Sequence, residues 1–321
     1  MPLGRIFIAV LILSGLSTVP VVAQTTLRVA VGGAQAASIP FAVGTKKGIF
    51  SKHGLNVEVI SITSAQMSAQ AQLSGSVQLA TSNPTGFFYL ARQGADAVGI
   101  ASWNNSSPYS LASRLKIKDV SGLKGKKIAS SGAGGRSDAF IKYALAKVGL
   151  DPRRDIEIMS LTGGSAVRLA AALSGKVDGT LISYTQEKQA QKLGLVVIPL
   201  PLEYVQGLMT TQKPYLERNK KTVKAFLLGL SESIRVLRSD REGTLKIIAS
   251  VLRTDDKEAL DHAYNTLSSQ VVPDLMPTEE AIVSVLKTMS YDDPAFESIA
   301  PFKHFDLSLI NEIKAEDAKN R

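Results

Sequence analysis

The stretch Leu73-Ser74-Gly75-Ser76-Val77 recurs one hundred positions later as Leu173-Ser174-Gly175-Lys176-Val177. The register holds without a gap on either side. Ala71 answers Ala171, Thr85 answers Thr185, and Gly94 answers Gly194. Upstream, Gly54-Leu55-Asn56-Val57-Glu58-Val59 is echoed by Gly149-Leu150 and then Asp155-Ile156-Glu157-Ile158. One Leu-Ser-Gly match says little, because glycine is the usual stop after a helix. An ordered series of matches predicts two copies of one α/β unit. Two such lobes facing each other enclose a cleft, where a small molecule would sit.

Within the first copy, Thr26 to Val31, Asn56 to Ile60, Val77 to Thr81 and Ala97 to Ala101 read as strands. Helices are expected between them, from Ser38, Ser64 and Asn83. In the second copy the strands are Lys127 to Ser130, Ile156 to Leu161, Val177 to Ile182 and Leu195 to Ile198. The helix starts there are Arg136, Ser165 and Tyr184. Such alternation implies a mostly parallel sheet in each unit. Past Pro199 and Pro201, Tyr204 to Thr211 reads as one more strand, and the remainder is helical. Lys221 to Arg238 carries Val223, Phe226, Leu227, Leu230, Ile234 and Leu237 on one stripe. This tail is expected to pack on the first lobe. Asn104 to Pro108 and Pro199 to Pro201 are the expected crossings between lobes.

The N-terminus differs from the rest. Arg5, the apolar run Ile6 to Leu16 and the small-residue site Val21-Val22-Ala23 form the pattern of a secretory signal peptide, cleaved after Ala23. The run is too short to span a bilayer, which takes about 20 residues. A soluble periplasmic protein without stable membrane insertion is expected. The chain of 321 residues suffices for two domains and contains no cysteine. Thiolate metal sites, iron–sulfur clusters and cysteine nucleophiles are thereby excluded. The net charge of +9 comes from scattered residues without interleaved aromatics, so nucleic acid is not an expected partner. A basic surface does favour anionic ligands.

In an open parallel sheet, ligands bind beyond the carboxyl ends of the strands. That rule selects Gln35, Ser38, Ser82, Asn83, Trp103 and Asn104 in the first lobe. In the second it selects Ser131, Arg136, Ser137, Ser183 and Tyr184. Most of these stand at helix starts, where free amide groups favour an anion. Ser38, Asn83 and Ser165 serve equally as plain helix caps. Arg136 is suited to fork two hydrogen bonds to an oxyanion, with Asp138 as a competing partner. Trp103, the single tryptophan, would present an apolar face.

No catalytic constellation is visible. The loop Ser131 to Ser137 is glycine-rich but lacks the lysine and spacing of a nucleotide-binding loop. There is no Gly-x-Ser-x-Gly elbow. His53, His262 and His304 stand far apart, without metal-ligand spacing. No metal and no cofactor are expected.

Gly48-Ile49-Phe50-Ser51-Lys52-His53-Gly54-Leu55-Asn56-Val57-Glu58-Val59 resembles a family signature. So do Leu73 to Val77, Leu123-Lys124-Gly125-Lys126-Lys127-Ile128 and Leu173 to Asp178. Together, over about Leu27 to Thr211, they resemble the nitrate/sulfonate/taurine group of ABC-transporter substrate-binding proteins. That group is related in fold to the thiamine-pyrimidine-precursor proteins. The resemblance implies an α/β, type II periplasmic binding fold: two doubly wound lobes, two hinge strands and a C-terminal helical tail on the first lobe. It divides the chain into a leader (1–23), a first lobe (24–108 and 204–321) and a second lobe (109–203). It implies a monomer that captures a small, anionic organic ligand (sulfonate, nitrate, carboxylate or pyrimidine-like) and delivers it to an ABC permease with its ATPase. Two alternatives stand beside it: a pyrimidine-precursor synthase-like enzyme, and a sensory protein feeding a membrane receptor. The enzymes of that kind use a histidine and a cysteine-rich motif, and this chain has no cysteine.

Overall fold

The computed structural model describes residues 24–32, 35–62, 65–107, 109–132, 135–162, 164–200 and 202–319. The expected signal peptide lies outside the described residues.

The first unit runs β1 (Thr25–Val31), α1 (Ile39–Lys46), α2 (Ile49–Lys52), β2 (Leu55–Ser61), α3 (Ala65–Leu73), β3 (Leu79–Thr81), α4 (Pro84–Arg92) and β4 (Ala97–Ser102). The chain then crosses to β5 (Tyr109–Ser113), β6 (Lys127–Ser130), α5 (Arg136–Lys147) and β7 (Glu157–Ser160). Next come α6 (Ser165–Leu173), β8 (Gly179–Ser183), α7 (Tyr184–Lys192) and β9 (Val196–Pro199). It returns through β10 (Leu208–Gln212) into the helices α8 (Lys213–Arg218), α9 (Lys220–Ser239) and α10 (Arg241–Leu252). The last helices are α11 (Lys257–Gln270), α12 (Glu279–Ser290) and α13 (Ser308–Lys319).

The two sheets have the same plan. One is ordered β2-β1-β3-β10-β4 and the other β7-β6-β8-β5-β9. In each, a single antiparallel strand donated across the crossing sits between the third and fourth strands of the unit: β10 in the first, β5 in the second. The strand β5 has no counterpart in the sequence reading, which began the second sheet at Lys127. Its serines at 110 and 113 are both buried, so it lacks an apolar alternation.

The repeat is visible atom by atom. Gly75 and Gly175 have φ of 73° and 78°, the left-handed conformation that closes a helix. Ser74 Oγ donates to Ala71 O at 3.1 Å, and Ser174 Oγ donates to Ala171 O at 3.1 Å. The amides of Val77 and Val177 return to the same carbonyls of Ala71 and Ala171. The following amides, Gln78 and Asp178, enter the sheets on Arg28 O and Lys127 O.

The stripe on α9 is wholly buried: Val223, Phe226, Leu227, Leu230, Ile234 and Leu237 are all 0% exposed. Burying each such side chain contributes about 1.5–3 kcal/mol. It joins the core over the first sheet, with Phe41, Phe50 and Leu27. The tail also reaches past the first lobe. Tyr143 on α5 hydrogen-bonds Ser284 on α12 at 2.7 Å, and Lys142 on α5 meets Asp292 at 2.8 Å. Between the lobes, 104–107 and 202–207 are hydrogen-bonded to one another, and Val272 and Leu275 bond the first of these crossings through Trp103 O and Ser102 N. Three chain segments therefore meet where the chain crosses between the lobes.

Candidate ligand-binding site

The carboxyl ends of β3 and β4 face the second lobe, and the gap holds a cavity of about 700 Å³. Ser82 and Asn83, directly after β3, form part of its wall. Asn83 caps α4: its Oδ1 accepts from Thr85 N at 3.3 Å, and Pro84 fills the first helical position, where no amide partner is lost. Ser82 Oγ shares a hydrogen bond with Thr210 Oγ1 at 2.6 Å. Trp103 and Asn104 follow β4 and line the same space. Asn104 is fixed by its Oδ1, which accepts from Ser106 N at 2.8 Å. Trp103 is 3% exposed and packs edge-on against Phe41, and its indole Nε1–H is buried without a hydrogen-bond partner.

From the second lobe come Arg136, Ser183 and Tyr184. Arg136 is the first residue of α5. Its competing partner is occupied elsewhere: Asp138 is held by Ser130 Oγ at 2.9 Å and Lys142 Nζ at 2.8 Å. The Arg136 guanidinium makes one bond, from Nη1 to the neutral Gln206 Oε1 at 3.3 Å, and no ion pair among the described residues. Ser183 precedes α7, and its amide donates to Gln186 Oε1. Tyr184 reaches across the gap and packs on the core of the first lobe.

Other selected residues stand apart. Ser131 and Ser137 bond each other, Oγ to Oγ at 2.9 Å, and brace the loop before α5 instead of lining the cavity. Ser38 holds the cap position of α1 in a helical backbone without the expected side-chain cap, and its neighbours Ala36 and Ala37 line the wall. Ser165 is likewise no cap, since Gly164 takes that position in α6. Gln35 opens the short 3-10 turn before α1, and its side chain lies outside the described residues.

The structure adds residues the sequence did not single out. Tyr109, Gln206, Leu267 and Gln270 complete the wall. Gln206 belongs to the returning crossing, and Leu267 and Gln270 to α11. No local pattern marks Gln206, Leu267 or Gln270. Tyr109, beside Pro108 at the first crossing, was the one with a usable signal. Burial pushes the Tyr109 and Tyr184 phenols above their ordinary value, although Arg136 and Arg168 pull against it at Tyr109. Both hydroxyls therefore stay protonated and act as donors. Arg168, on α6 behind Tyr109, is 6% exposed, and its Nε lacks a partner. Burial pulls its guanidinium below the ordinary value. The three histidines are not gathered here, but His262 lies close by, 2.8 Å from Glu187.

The electrostatic character follows. Among the described lining residues Arg136 carries the only charge, and no carboxylate faces the cavity. The unspent polar groups at the wall are mainly donors: the Arg136 guanidinium and the phenols of Tyr109 and Tyr184. Such a set complements an acceptor-rich, negatively charged head group.

The sequence matches the family described as NMT1/THI5 like over residues 35–242. The chain belongs to the NMT1/THI5-like family. Among curated relatives, a candidate binding protein of Brucella abortus (strain 2308) is 23% identical over 231 residues, covering 70% of each chain. A candidate thiamine biosynthesis protein of Haemophilus influenzae is 24% identical over 207 residues, covering 61% of this chain and 64% of its own. Among solved structures, the periplasmic aliphatic sulphonate binding protein SsuA of Escherichia coli superposes with a TM-score of 0.68 at 20% identity. That match covers 87% of this chain and 91% of SsuA. The periplasmic nitrate-binding protein NrtA of Synechocystis PCC 6803 gives 0.65 at 16% identity, over 91% and 89%. The fold of this NMT1/THI5-like chain is thus that of the periplasmic ABC-type binding proteins related to sulfonate and nitrate binders. No helix among the described residues is long and apolar enough to cross a membrane.

Proposed function

We propose that this NMT1/THI5-like chain is the solute-binding component of an ABC importer. It captures a small organic anion between its lobes and delivers it, unchanged, to a membrane permease. In this reading the chain works in the periplasm as a monomer, released from its leader after Ala23, with residues 24–108 and 204–321 as one lobe and 109–203 as the other.

The observation that carries the reading is the state of Arg136. A guanidinium at the cleft, without a carboxylate and with one neutral partner, supports an anion-binding role. The free donors around it would strengthen in the enclosed gap, where water competes less. The Oγ–Oγ bond of Ser131 and Ser137 holds the loop that presents Arg136, so those serines support the site from behind. The ligand would favour the closed arrangement only by its greater affinity for that arrangement.

A thermal-shift screen tests this, with alkanesulfonates, nitrate, aromatic carboxylates and pyrimidines against the purified protein. A ligand at 100 times its dissociation constant raises stability by about 2.7 kcal/mol. Hits confined to anions are expected. Hits among neutral compounds of the same shape, with no preference for the anion, would overturn the reading.

A further inference from the structure

The cavity does not end at the cleft. From Ser82 and Asn83 it continues between α3 and α4, over β10, as far as Ala97 and Gln212. Those two residues pair at one end of the sheet, and Ser102 pairs with Leu208 at the cleft end. The groove therefore runs beside β10, which lines it through Thr210 and Gln212, and that strand of five residues is about 13 Å long at a strand's rise.

Ala69 and Leu73 on α3, and Gly86, Phe87 and Leu90 on α4, give the walls a small or apolar part, and the polar residues beside them, such as Ser68, Gln72, Tyr89 and Thr210, are neutral. Leu73 and Leu90 are 63% and 37% exposed, so the groove offers apolar surface to solvent. A methyl group built on Gly86 would meet no atom within 4 Å, so the groove is open at that point. Gln72 Nε2 donates to Thr210 O at 2.9 Å and fixes α3 on β10. Size and charge then define an occupant. A cavity of about 700 Å³ suits an organic molecule of many atoms, and nitrate or methanesulfonate would leave most of it unfilled. The one charged lining residue, Arg136, stands at the cleft end, and the far end offers only the neutral Gln70 and Gln212.

We propose that the groove between α3 and α4 is a tail subsite, which receives the uncharged, largely apolar chain of a monoanion whose head is held at Arg136. This deepens the reading of the cleft as an anion trap and rests on it. The ligand class is an amphiphilic monoanion: a sulfonate or carboxylate head on a chain of several carbons. A small inorganic anion leaves the groove empty, and a dianion with charges at both ends places one charge where no cation faces it.

The test is calorimetric titration with methane-, butane- and octane-1-sulfonate, and with octan-1-ol and octane-1,8-disulfonate as controls. Each methylene buried in the groove should tighten binding by about fourfold. Octanesulfonate should therefore bind at least about a hundredfold tighter than methanesulfonate, with the alcohol and the disulfonate both far weaker than octanesulfonate. In Gly86→Phe the ring projects into the groove, and the ratio between the octane and methane affinities should collapse towards one. Leu90→Asp, at the exposed rim, should lower the same ratio without relying on a core substitution. If methanesulfonate binds but the series is flat, or if Gly86→Phe keeps the ratio, the tail subsite is wrong and the anion trap stands. If none of the sulfonates binds and the thermal-shift screen finds no other anion, both are wrong.

Discussion

The carboxylate of Glu187, on α7 of the second lobe, lies 2.8 Å from Nε2 of His262, on α11 of the first. Two lysines continue the contact along the same helix pair. Lys188 meets Glu258 at 3.0 Å, and Lys192 meets Asp256 at 3.3 Å and Glu258 at 3.4 Å. The cleft mouth is thus bridged by side chains of opposite charge, with Tyr184 packed beneath them.

This latch predicts a salt-sensitive closure. Glu258→Lys sets three cations against one another and should favour separated lobes, seen as a larger radius of gyration in X-ray scattering without ligand. Ligand release should quicken severalfold. The difference from wild type should shrink at 1 M salt, where the Debye length falls to about 3 Å. Equal scattering curves at low salt would remove the latch.

Arg136→Ala should weaken binding of any anionic ligand by about 10- to 150-fold, the range for a lost hydrogen bond to a charged group. Arg136→Lys should recover part of the loss, because a lysine restores the charge but not the planar fork. The melting temperature without ligand should barely move, since Arg136 makes only the bond to Gln206. Isothermal titration beside a thermal melt separates the two effects.

Trp103 is the only tryptophan, so its emission reports on the cleft alone. Burial against Phe41 predicts a blue-shifted spectrum for the free protein. A ligand packed against the part of the ring that lines the cavity should shift or quench it. Ligand binding shown by calorimetry with a silent spectrum would place the indole away from the ligand.

Particular residues show which parts of this architecture are legible in the chain. Gly75 and Gly175 advertise themselves because closing a helix is a local event, governed by one backbone conformation. The residues after the strands, Ser82, Asn83, Trp103, Arg136 and Tyr184, follow from topology, because the open end of a parallel sheet is fixed once the strands are ordered. The donated strand β5 is hidden, since its buried serines at 110 and 113 are satisfied by partners remote in sequence, Ser110 by Glu187 and Ser113 by Asp178 O. Gln206, Leu267 and Gln270 are hidden for the same reason. Their places in the cavity wall depend on how the returning crossing and α11 pack, which no short pattern encodes.

Lys142 links the second lobe to the end of α12, touching Asp138 at 2.8 Å and Asp292 at 2.8 Å. Asp138 is only 4% exposed. Removing its cation in Lys142→Met leaves a buried carboxylate with Ser130 as its remaining side-chain partner, and should cost about 3 kcal/mol. Burial works against the lysine's charge, yet the bonds to Asp138 and Asp292 outweigh it, and its pKa stands above the ordinary value. A raised pKa in the folded state means that the contribution is complete below the unfolded value of about 10.4 and is lost as pH rises through the folded value. Denaturant unfolding should therefore show the gap between wild type and Lys142→Met constant at neutral pH and narrowing above about pH 10.4. A gap that widens with rising pH would have the wrong sign for this pair.

The duplication makes a paired prediction. Gly75 and Gly175 hold the same left-handed conformation, and a methyl group at either meets no atom within 4 Å. Alanine at each position therefore encounters backbone strain and nothing else. Gly75→Ala and Gly175→Ala should each destabilise by about 1–2 kcal/mol, the cost of placing a side chain in that region. The two substitutions lie in different lobes without shared partners, so their effects should add within about 0.5 kcal/mol. Gly86→Ala serves as the contrast. It sits inside α4 with free space around it, and alanine there should stabilise by up to about 1 kcal/mol through helix propensity alone. Urea titrations of the three variants check all of this. Unequal losses at 75 and 175 would show that the two helix ends, alike in sequence and geometry, are held by different forces.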